Sequence, residues 1–426
     1  MNVAIIGSGG REHALALKIK QSPTLENLYI IPGNPGTSLC GDNVELDITN
    51  YTSIYKFCKE KNIFFVVIGP EAPLVDGLAD YLRNKNINVF GPSAKAARIE
   101  SQKSFAKKMM IDNNVPTADY KEYTSDQYEK AKNYLVQSKY PLVMKADGLA
   151  AGKGVLICDN KLDGIKNLDD LFLKNKFGEA GNKIIIEEFL IGEEVSIFAI
   201  TDGENFVCLP SAQDHKKIGE NDTGLNTGGM GAYSPAPIIT DTILREIEST
   251  IIKPIIYAMR ESGNNFIGCL YAGLILTNNA IKVIEFNCRF GDPETQVVLQ
   301  LLDGDFLRLL YSASIGKIEK DSVKYNGGCS LCVVASSKGY PENYEKGFEI
   351  NGLNSITDPN VIIYHAGTKS VGNKIVSNGG RVLGITAYSN KINFKLAKEQ
   401  VYKNLEKINF DGMYFRRDIA QKILKK

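Results

Sequence analysis

Over roughly the first hundred residues, short apolar runs at 3–6, 28–31, 64–68 and 89–90 alternate with stretches at 12–20, 51–61 and 74–84 whose apolar positions recur at helical spacing. That rhythm predicts a parallel sheet covered by helices. The predicted strand ends carry Gly7-Ser8-Gly9-Gly10, Pro32-Gly33-Asn34-Pro35-Gly36 and Gly69-Pro70-Glu71-Ala72-Pro73. Ligands of such sheets sit outside the carboxyl ends of the strands, so the first domain is expected to bind one.

After residue 101 the pattern changes. A basic helix with Lys103, Lys107 and Lys108 leads to Val115-Pro116, and residues 140–145 then read as a strand, 146–154 as a turn and 155–157 as the returning strand of a hairpin. Further strands are predicted at 183–187, 194–200, 271–276 and 282–286, and Val297-Val298 with Leu301-Leu302 has helical spacing. From about 325 a small mixed domain is expected, with apolar runs at 333–335 and 382–386, a turn at Asn378-Gly379-Gly380 and a final helix over 394–407. No internal repeat or low-complexity tract interrupts the chain.

With 426 residues, 43% of them hydrophobic, the chain can bury several cores and is long enough for two to four domains. Lys+Arg 50 against Asp+Glu 49 gives a formal charge of +1, so no global field draws nucleic acid or an anionic membrane, and any anion binding must be local. The eight cysteines are mostly isolated in apolar stretches, as reduced thiols are, which predicts a cytoplasmic protein. Cys329-Ser330-Leu331-Cys332 has metal spacing but lacks a second pair and reads as a buried strand. The N-terminus has no basic region and reads as a strand rather than a signal peptide, and no apolar run is long enough to span a bilayer.

The richest chemistry lies where Asp214-His215-Lys216-Lys217 precedes Asn226-Thr227-Gly228-Gly229-Met230-Gly231-Ala232-Tyr233-Ser234-Pro235. Backbone N–H groups, hydroxyls, a carboxylate, an imidazole and two ammonium groups fall together there, a surface suited to a small, polar, anionic substrate. Of the three histidines, His215 is the one expected to touch substrate, while His13 and His365 read as packing residues. Gly7-Ser8-Gly9-Gly10-Arg11-Glu12 approaches a dinucleotide fingerprint, but Glu12 holds the third glycine position, so a phosphate on the Gly9 and Gly10 amides competes with a plain tight turn. Lys145, with the small-residue loop through Gly152, Lys153 and Gly154, can wrap a polyphosphate or be a solvated hairpin. Glu187-Glu188-Phe189-Leu190 and Glu194 can offer backbone groups to an adenine and a carboxylate to a ribose, or form an acidic turn. Glu285 and Asn287 share a strand face because side chains alternate, which supplies two hard oxygen ligands for Mg²⁺, with Arg289 next in the series. Asp292 and Glu294 brace that site or cap the following helix.

Taken together these segments resemble the ATP-grasp family and, within it, the phosphoribosylamine-glycine ligases. The resemblance rests on 9–13 (Gly-Gly-Arg-Glu-His), 69–74, 145–154, 213–216, 226–235 and 285–296, and so covers nearly the whole chain. It implies an α/β and α+β multidomain fold: an N-terminal parallel-sheet α/β domain at 1–102, an ATP-grasp core at 103–320 with a mobile lid at about 119–190, and a small mixed C-terminal domain at 321–426. The implied reaction is ATP-dependent ligation of glycine to 5-phosphoribosylamine through glycyl phosphate, in purine synthesis. By resemblance, Lys103, Lys145, Gly152, Lys153, Gly154, Glu187, Glu188, Leu190 and Glu194 bind ATP, and Glu285 and Asn287 hold Mg²⁺ or Mn²⁺. Gly9, Gly10, Glu71, Asp214, His215, Lys216, Gly229, Gly231 and Arg289 bind substrate, with Arg289, Lys145 and Asp214 catalytic. Many relatives carry a further acidic ligand on the strand before Glu-x-Asn, where residues 270–276 carry none. The expected partners are the two small-molecule substrates, with neither nucleic acid nor membrane, and a monomer is expected. A nicotinamide oxidoreductase or a nucleotide sensor would use the first glycine loop and leave Glu285, Asn287 and Arg289 without a role.

Overall fold

The computed structural model describes residues 1–148 and 154–425. At the N-terminus five parallel strands run in the order Asp42–Asn43, Asn27–Pro32, Asn2–Gly7, Phe65–Ile68, Asn88–Phe90. The first strand in sequence is central, and its two neighbours are reached in opposite directions, so a crevice opens at the carboxyl end of Asn2–Gly7. The helix expected over 74–84 is two, Glu71–Val75 and Leu78–Arg83, because Gly77 turns left-handed at φ +91° between them.

Two antiparallel four-stranded sheets follow. The first orders Tyr120–Thr124, Lys183–Glu188, Leu142–Ala146 and Val155–Cys158, so the predicted hairpin is present. Helices Tyr128–Gln137 and Lys161–Phe172 cover this sheet, and together they enclose a core of their own around Leu135, Met144, Leu168 and Ile186. The second sheet orders Phe206–Cys208, Glu193–Thr201, Gly268–Leu276 and Ile281–Asn287. Its apolar face, with Val195, Ile197 and Leu270, is continuous with Ala4, Ile6 and Val66 of the N-terminal sheet, so those two units share one core.

The last sheet is not built from the end of the chain alone. Arg381–Ser389 lies between Cys329–Ser337 and Val361–His365 and pairs with both, and Gly231–Ser234 and Gln213–Asp214 from the middle of the chain extend the sheet beyond Cys329–Ser337. The glycine-rich segment at 226–235 is therefore anchored to the C-terminal unit. Cys329 and Cys332 lie buried in the central strand of this sheet as free thiols, as the apolar run predicts. The helical spacing after Glu294 yields only Glu294–Val298 and a 3₁₀ turn, Leu299–Leu301, before Leu302 turns extended. Helix Phe394–Leu405 is not the final one, since Gln421–Leu424 follows. Among the described residues no helix is long and apolar enough to cross a membrane.

Candidate active site

Lys145 lies near the end of Leu142–Ala146, and Glu187 projects from the adjacent strand. Both are buried, and Lys145 Nζ lies 2.9 Å from Glu187 Oε2 while also donating to the carbonyl of Ile284 at 3.1 Å. Lys107 approaches the other carboxylate oxygen at 3.3 Å and donates to Thr117 Oγ1 and the Ala118 carbonyl. A buried carboxylate between two ammonium groups is compensated, which a single partner of poorer geometry would not achieve. Burial lowers the Lys107 pKa to about 8, although Glu187 pulls the other way. Lys103, at the start of helix Lys103–Asp112, donates to the Gly148 carbonyl at 3.0 Å. Its pKa is lowered by burial, and Glu285 opposes that shift. Gly152 and Lys153 lie outside the described residues; Gly154 closes the hairpin by accepting the Ala146 amide at 2.9 Å.

Glu285 is the electrostatic centre. Burial would raise its pKa, yet Lys216, Lys145, Lys103 and Arg289 together hold it below the ordinary value, so it stays ionised. Asn287 follows at the next same-face position of Ile281–Asn287. Arg289 bridges Glu100 at 2.9 Å and Glu71 at 3.2 Å, and these carboxylates raise its pKa despite burial. The Glu71 pKa is correspondingly held down against burial by Arg289 and then Arg11.

Asp214 and Lys216 bound this centre on the far side. Lys216 Nζ reaches Glu194 Oε2 at 2.9 Å, and Asp214, Glu194, Tyr271 and Glu285 keep it charged in spite of burial. Burial pushes the Asp214 pKa up; Glu294 and Glu194 reinforce that shift and Lys216 opposes it. Behind them Tyr271 donates to Glu294 at 3.1 Å, and its hydroxyl lies 2.8 Å from Ser196 Oγ. His215 is not brought into this cluster. Strand alternation turns it to the opposite side, where its ring packs against Tyr233, Nε2 accepts the Ala420 amide at 3.4 Å, and burial lowers its pKa to about 4.

The crevice of the N-terminal sheet forms a cleft of about 380 Å³ lined by Gly7, Ser8, Gly9, Glu12, Pro32 and Pro70 among others. Gly9 belongs to it, but its amide is already taken: Glu12 Oε2 accepts from Gly9 N at 2.6 Å and caps the helix Gly10–Ile19. The tight-turn alternative accounts for that amide in this structure. Gly10 instead faces Gln296 and Asp292, where a Cβ would come within 2.7 Å of Gln296 Nε2.

Gly228 and Gly229 are set by close approach. A Cβ on Gly228 would meet the Arg381 guanidinium at 3.0 Å, and one on Gly229, at φ +119°, would meet Pro293 Cδ at 2.5 Å. Gly231 abuts the Cys332 carbonyl in the C-terminal sheet. The segment thus fits between the C-terminal unit and the turn after Arg289.

Models of the phosphoribosylglycinamide synthetase N domain, ATP-grasp (A) domain and C domain match residues 1–100, 101–295 and 330–422. The chain belongs to the phosphoribosylglycinamide synthetase family. It is 46% identical over 429 residues to the phosphoribosylamine–glycine ligase of Rhodopirellula baltica, covering 99% of this chain and 98% of that one. The ligase of Caldanaerobacter subterraneus subsp. tengcongensis is 44% identical, with 99% of each covered. A crystal structure of the Thermotoga maritima phosphoribosylamine–glycine ligase superposes with a TM-score of 0.85 at 32% identity, over 98% of this chain and 100% of that one. The biotin carboxylase domain of Hydrogenobacter thermophilus 2-oxoglutarate carboxylase shares the fold, with a TM-score of 0.74 at 16% identity over 97% and 91% of the two chains.

Several groups that complete the site in this synthetase-family chain escape a motif reading. Glu100 orients Arg289 and accepts the Cys288 amide at 2.8 Å, and Arg381 donates to the carbonyls of Gly228 and Asp292. Lys282 holds Glu188 at 2.5 Å, which ties the strand end before Leu190 to the Glu285 strand. Local polarity does not single them out, since Glu100 and Lys107 lie in helices that carry other charged residues.

Proposed function

We propose that this chain ligates glycine to 5-phosphoribosylamine with ATP, giving glycinamide ribonucleotide, ADP and phosphate in purine biosynthesis. The observation that carries this reading is the gathering of Lys103, Lys145, Lys216 and Arg289 around an ionised Glu285. It is supported by similarity over almost the full chain to proteins named phosphoribosylamine–glycine ligase.

In this mechanism a glycine carboxylate oxygen attacks the γ-phosphorus, the bond to the ADP oxygen breaks, and glycyl phosphate forms. The ribosylamine nitrogen then attacks the acyl carbon, phosphate leaves, and the nitrogen gives up a proton. Lys103, Lys145 and Arg289 stabilise the charge that builds on the transferring phosphoryl group. The receipt of that proton is assigned to Asp214, whose pKa burial raises to about 7. Glu187, Glu188, Leu190 and Glu194 line the nucleotide side, and Gly9, Glu71, Lys216, Gly229 and Gly231 the phosphoribosylamine side. His215 has no part in it.

A divalent ion fits Glu285 and Asn287. The carboxylate is kept ionised, and Glu285 and Asn287 share one face of their strand. Two hard oxygen ligands suit Mg²⁺ or Mn²⁺ that completes its shell with phosphate oxygens and water. Such an ion would neutralise triphosphate charge. The proposal includes a monomer in the cytoplasm, a location that goes with eight free thiols.

The test is ADP release with each substrate withheld in turn, the labile amine being generated in the assay from ribose 5-phosphate and ammonia. Release should require both glycine and the amine. Release supported by bicarbonate or formate in place of glycine would move the chain to a carboxylase or formate-using transferase.

A further inference from the structure

The hairpin that follows Lys216 is held by the far end of the chain. Its strands Lys217–Gly219 and Thr223–Asn226 are short, their register is irregular, and the turn between them places Asn221 and Asp222 at φ +55° and +54°. Asn and Asp tolerate the left-handed region better than other non-glycine residues, and the turn is fixed further by its surroundings. Here the surroundings are residues 414–422. Arg416, the bulkiest fully buried side chain, donates to the Lys217 carbonyl and to Asp222 Oδ1, both at 3.0 Å, while Asp418 binds its other face in a fork. Asp418 also accepts the Asn221 amide at 2.8 Å, Tyr414 donates to the Ile218 carbonyl at 2.9 Å, and Lys422 meets Asp222 at 2.5 Å.

These ties reach the active site through the backbone. The Lys216 carbonyl accepts from Thr227 N and Thr227 Oγ1, and the amide of His215 donates to the Gly231 carbonyl, so the base of the hairpin and the glycine loop form one unit. Lys216 sits at that base with its ammonium on Glu194. His215, buried on the opposite side, meets the tail at Ala420, and among the described residues its Nδ1 has no hydrogen-bond partner. Its fit there is set by the tail rather than by substrate.

We propose that residues 414–422 are a positioning element for Lys216, with Arg416 as its anchor and Asp222 as the point where the hairpin is gripped. The consequence for phosphoribosylamine rests on the substrate role given to Lys216 above; the placement of Lys216 does not. Lys145, Glu187 and Lys103 take no direct support from the hairpin, and Glu194 is the residue of the nucleotide side that Lys216 touches.

Asp222→Asn isolates the charge, since Asn tolerates the left-handed backbone at least as well as Asp. Two readouts apply. Competitive acylation of Lys216, followed by mass spectrometry on the full-length protein, should speed up about fivefold or more relative to Lys145, with faster amide exchange over 217–226. The KM for phosphoribosylamine should rise about tenfold and the KM for ATP by less, since Lys216 also holds Glu194. Lys422→Met should show a smaller shift in the same direction, and Lys422→Arg should restore parental behaviour. Unchanged Lys216 acylation in both Asp222→Asn and Lys422→Met overturns the proposal. Faster acylation with an unchanged phosphoribosylamine KM supports the positioning element and removes Lys216 from the substrate site instead.

Discussion

Lys145 Nζ donates to the carbonyl of Ile284 at 3.1 Å across 139 positions of chain. The hairpin lysine and the strand carrying Glu285 therefore share one buried environment, and the Glu285 carboxylate balances Lys216, Lys145, Lys103 and Arg289. Without that carboxylate Lys145 keeps Glu187, Lys216 keeps Glu194, and Arg289 keeps Glu71 and Glu100, so the fold stays compensated while the site loses its central anion. Glu285→Ala is expected to lower kcat for ADP release by about 10²-fold or more while the urea unfolding midpoint stays near the parent's. A near-normal rate would mean that the charge is balanced, and the metal held, elsewhere.

Two lysines flank one carboxylate, and they are expected to divide stability from catalysis. Lys107 also donates to Thr117 and Ala118, away from the phosphate side, so Lys107→Met strands three buried acceptors and should cost about 3 kcal/mol in urea unfolding. In Lys145→Met the Glu187 carboxylate keeps Lys107, so the stability loss is smaller but turnover collapses. Equal unfolding midpoints for the two variants, measured side by side, would refute this division.

Glu285, Asn287 and Lys145 were legible because strand periodicity and a chain-local motif are enough to place them at strand ends. The parallel sheet was legible for the same reason. Strand partners are a long-range choice, however, and nothing local says that Gly231–Ser234 joins Cys329–Ser337 and takes Gln213–Asp214 on its other edge. Arg381 and Arg416 stand in segments with no motif, and their roles exist only once the glycine loop and the hairpin fold against them. Gly77 was visible, but a glycine alone does not tell a tolerated helical position from a break. The orientation of His215 is different: period-two alternation already sets it opposite Asp214 and Lys216, and the chemical appeal of an imidazole in a polar segment outweighed that geometry.

All three histidines are buried, and burial lowers His13 from 6.5 to about 3, and His215 and His365 to about 4. His13 is bound as an acceptor, taking the His365 amide on Nδ1 at 2.9 Å where the N-terminal helix meets the C-terminal sheet. Because the folded values lie below the unfolded one, these groups contribute full stability above about 6.5 and lose it progressively as pH falls toward 4. The urea midpoint should fall over that window, and His13→Gln should reduce the slope. A midpoint that stays level from about pH 6.5 to 4.5 rules out neutral buried histidines.

Asp214 carries the opposite sign. Burial, then Glu294 and Glu194, push its pKa from 3.8 to about 7 even with Lys216 drawing it down. The folded state therefore holds a proton that the unfolded chain gives up, and the contribution of this group to stability declines as pH rises from about 4 to about 7. Asp214→Asn is neutral at every pH, so its stability relative to the parent should improve between about pH 5 and 8. Activity should move the other way. If the carboxylate accepts the proton of the attacking amine, parental kcat/KM for phosphoribosylamine rises through neutrality as Asp214 ionises, and the Asn variant follows a low profile without that inflection. An Asn variant that keeps the inflection would assign the titration to another group, and one whose stability tracks the parent at every pH would show that Asp214 is ionised throughout.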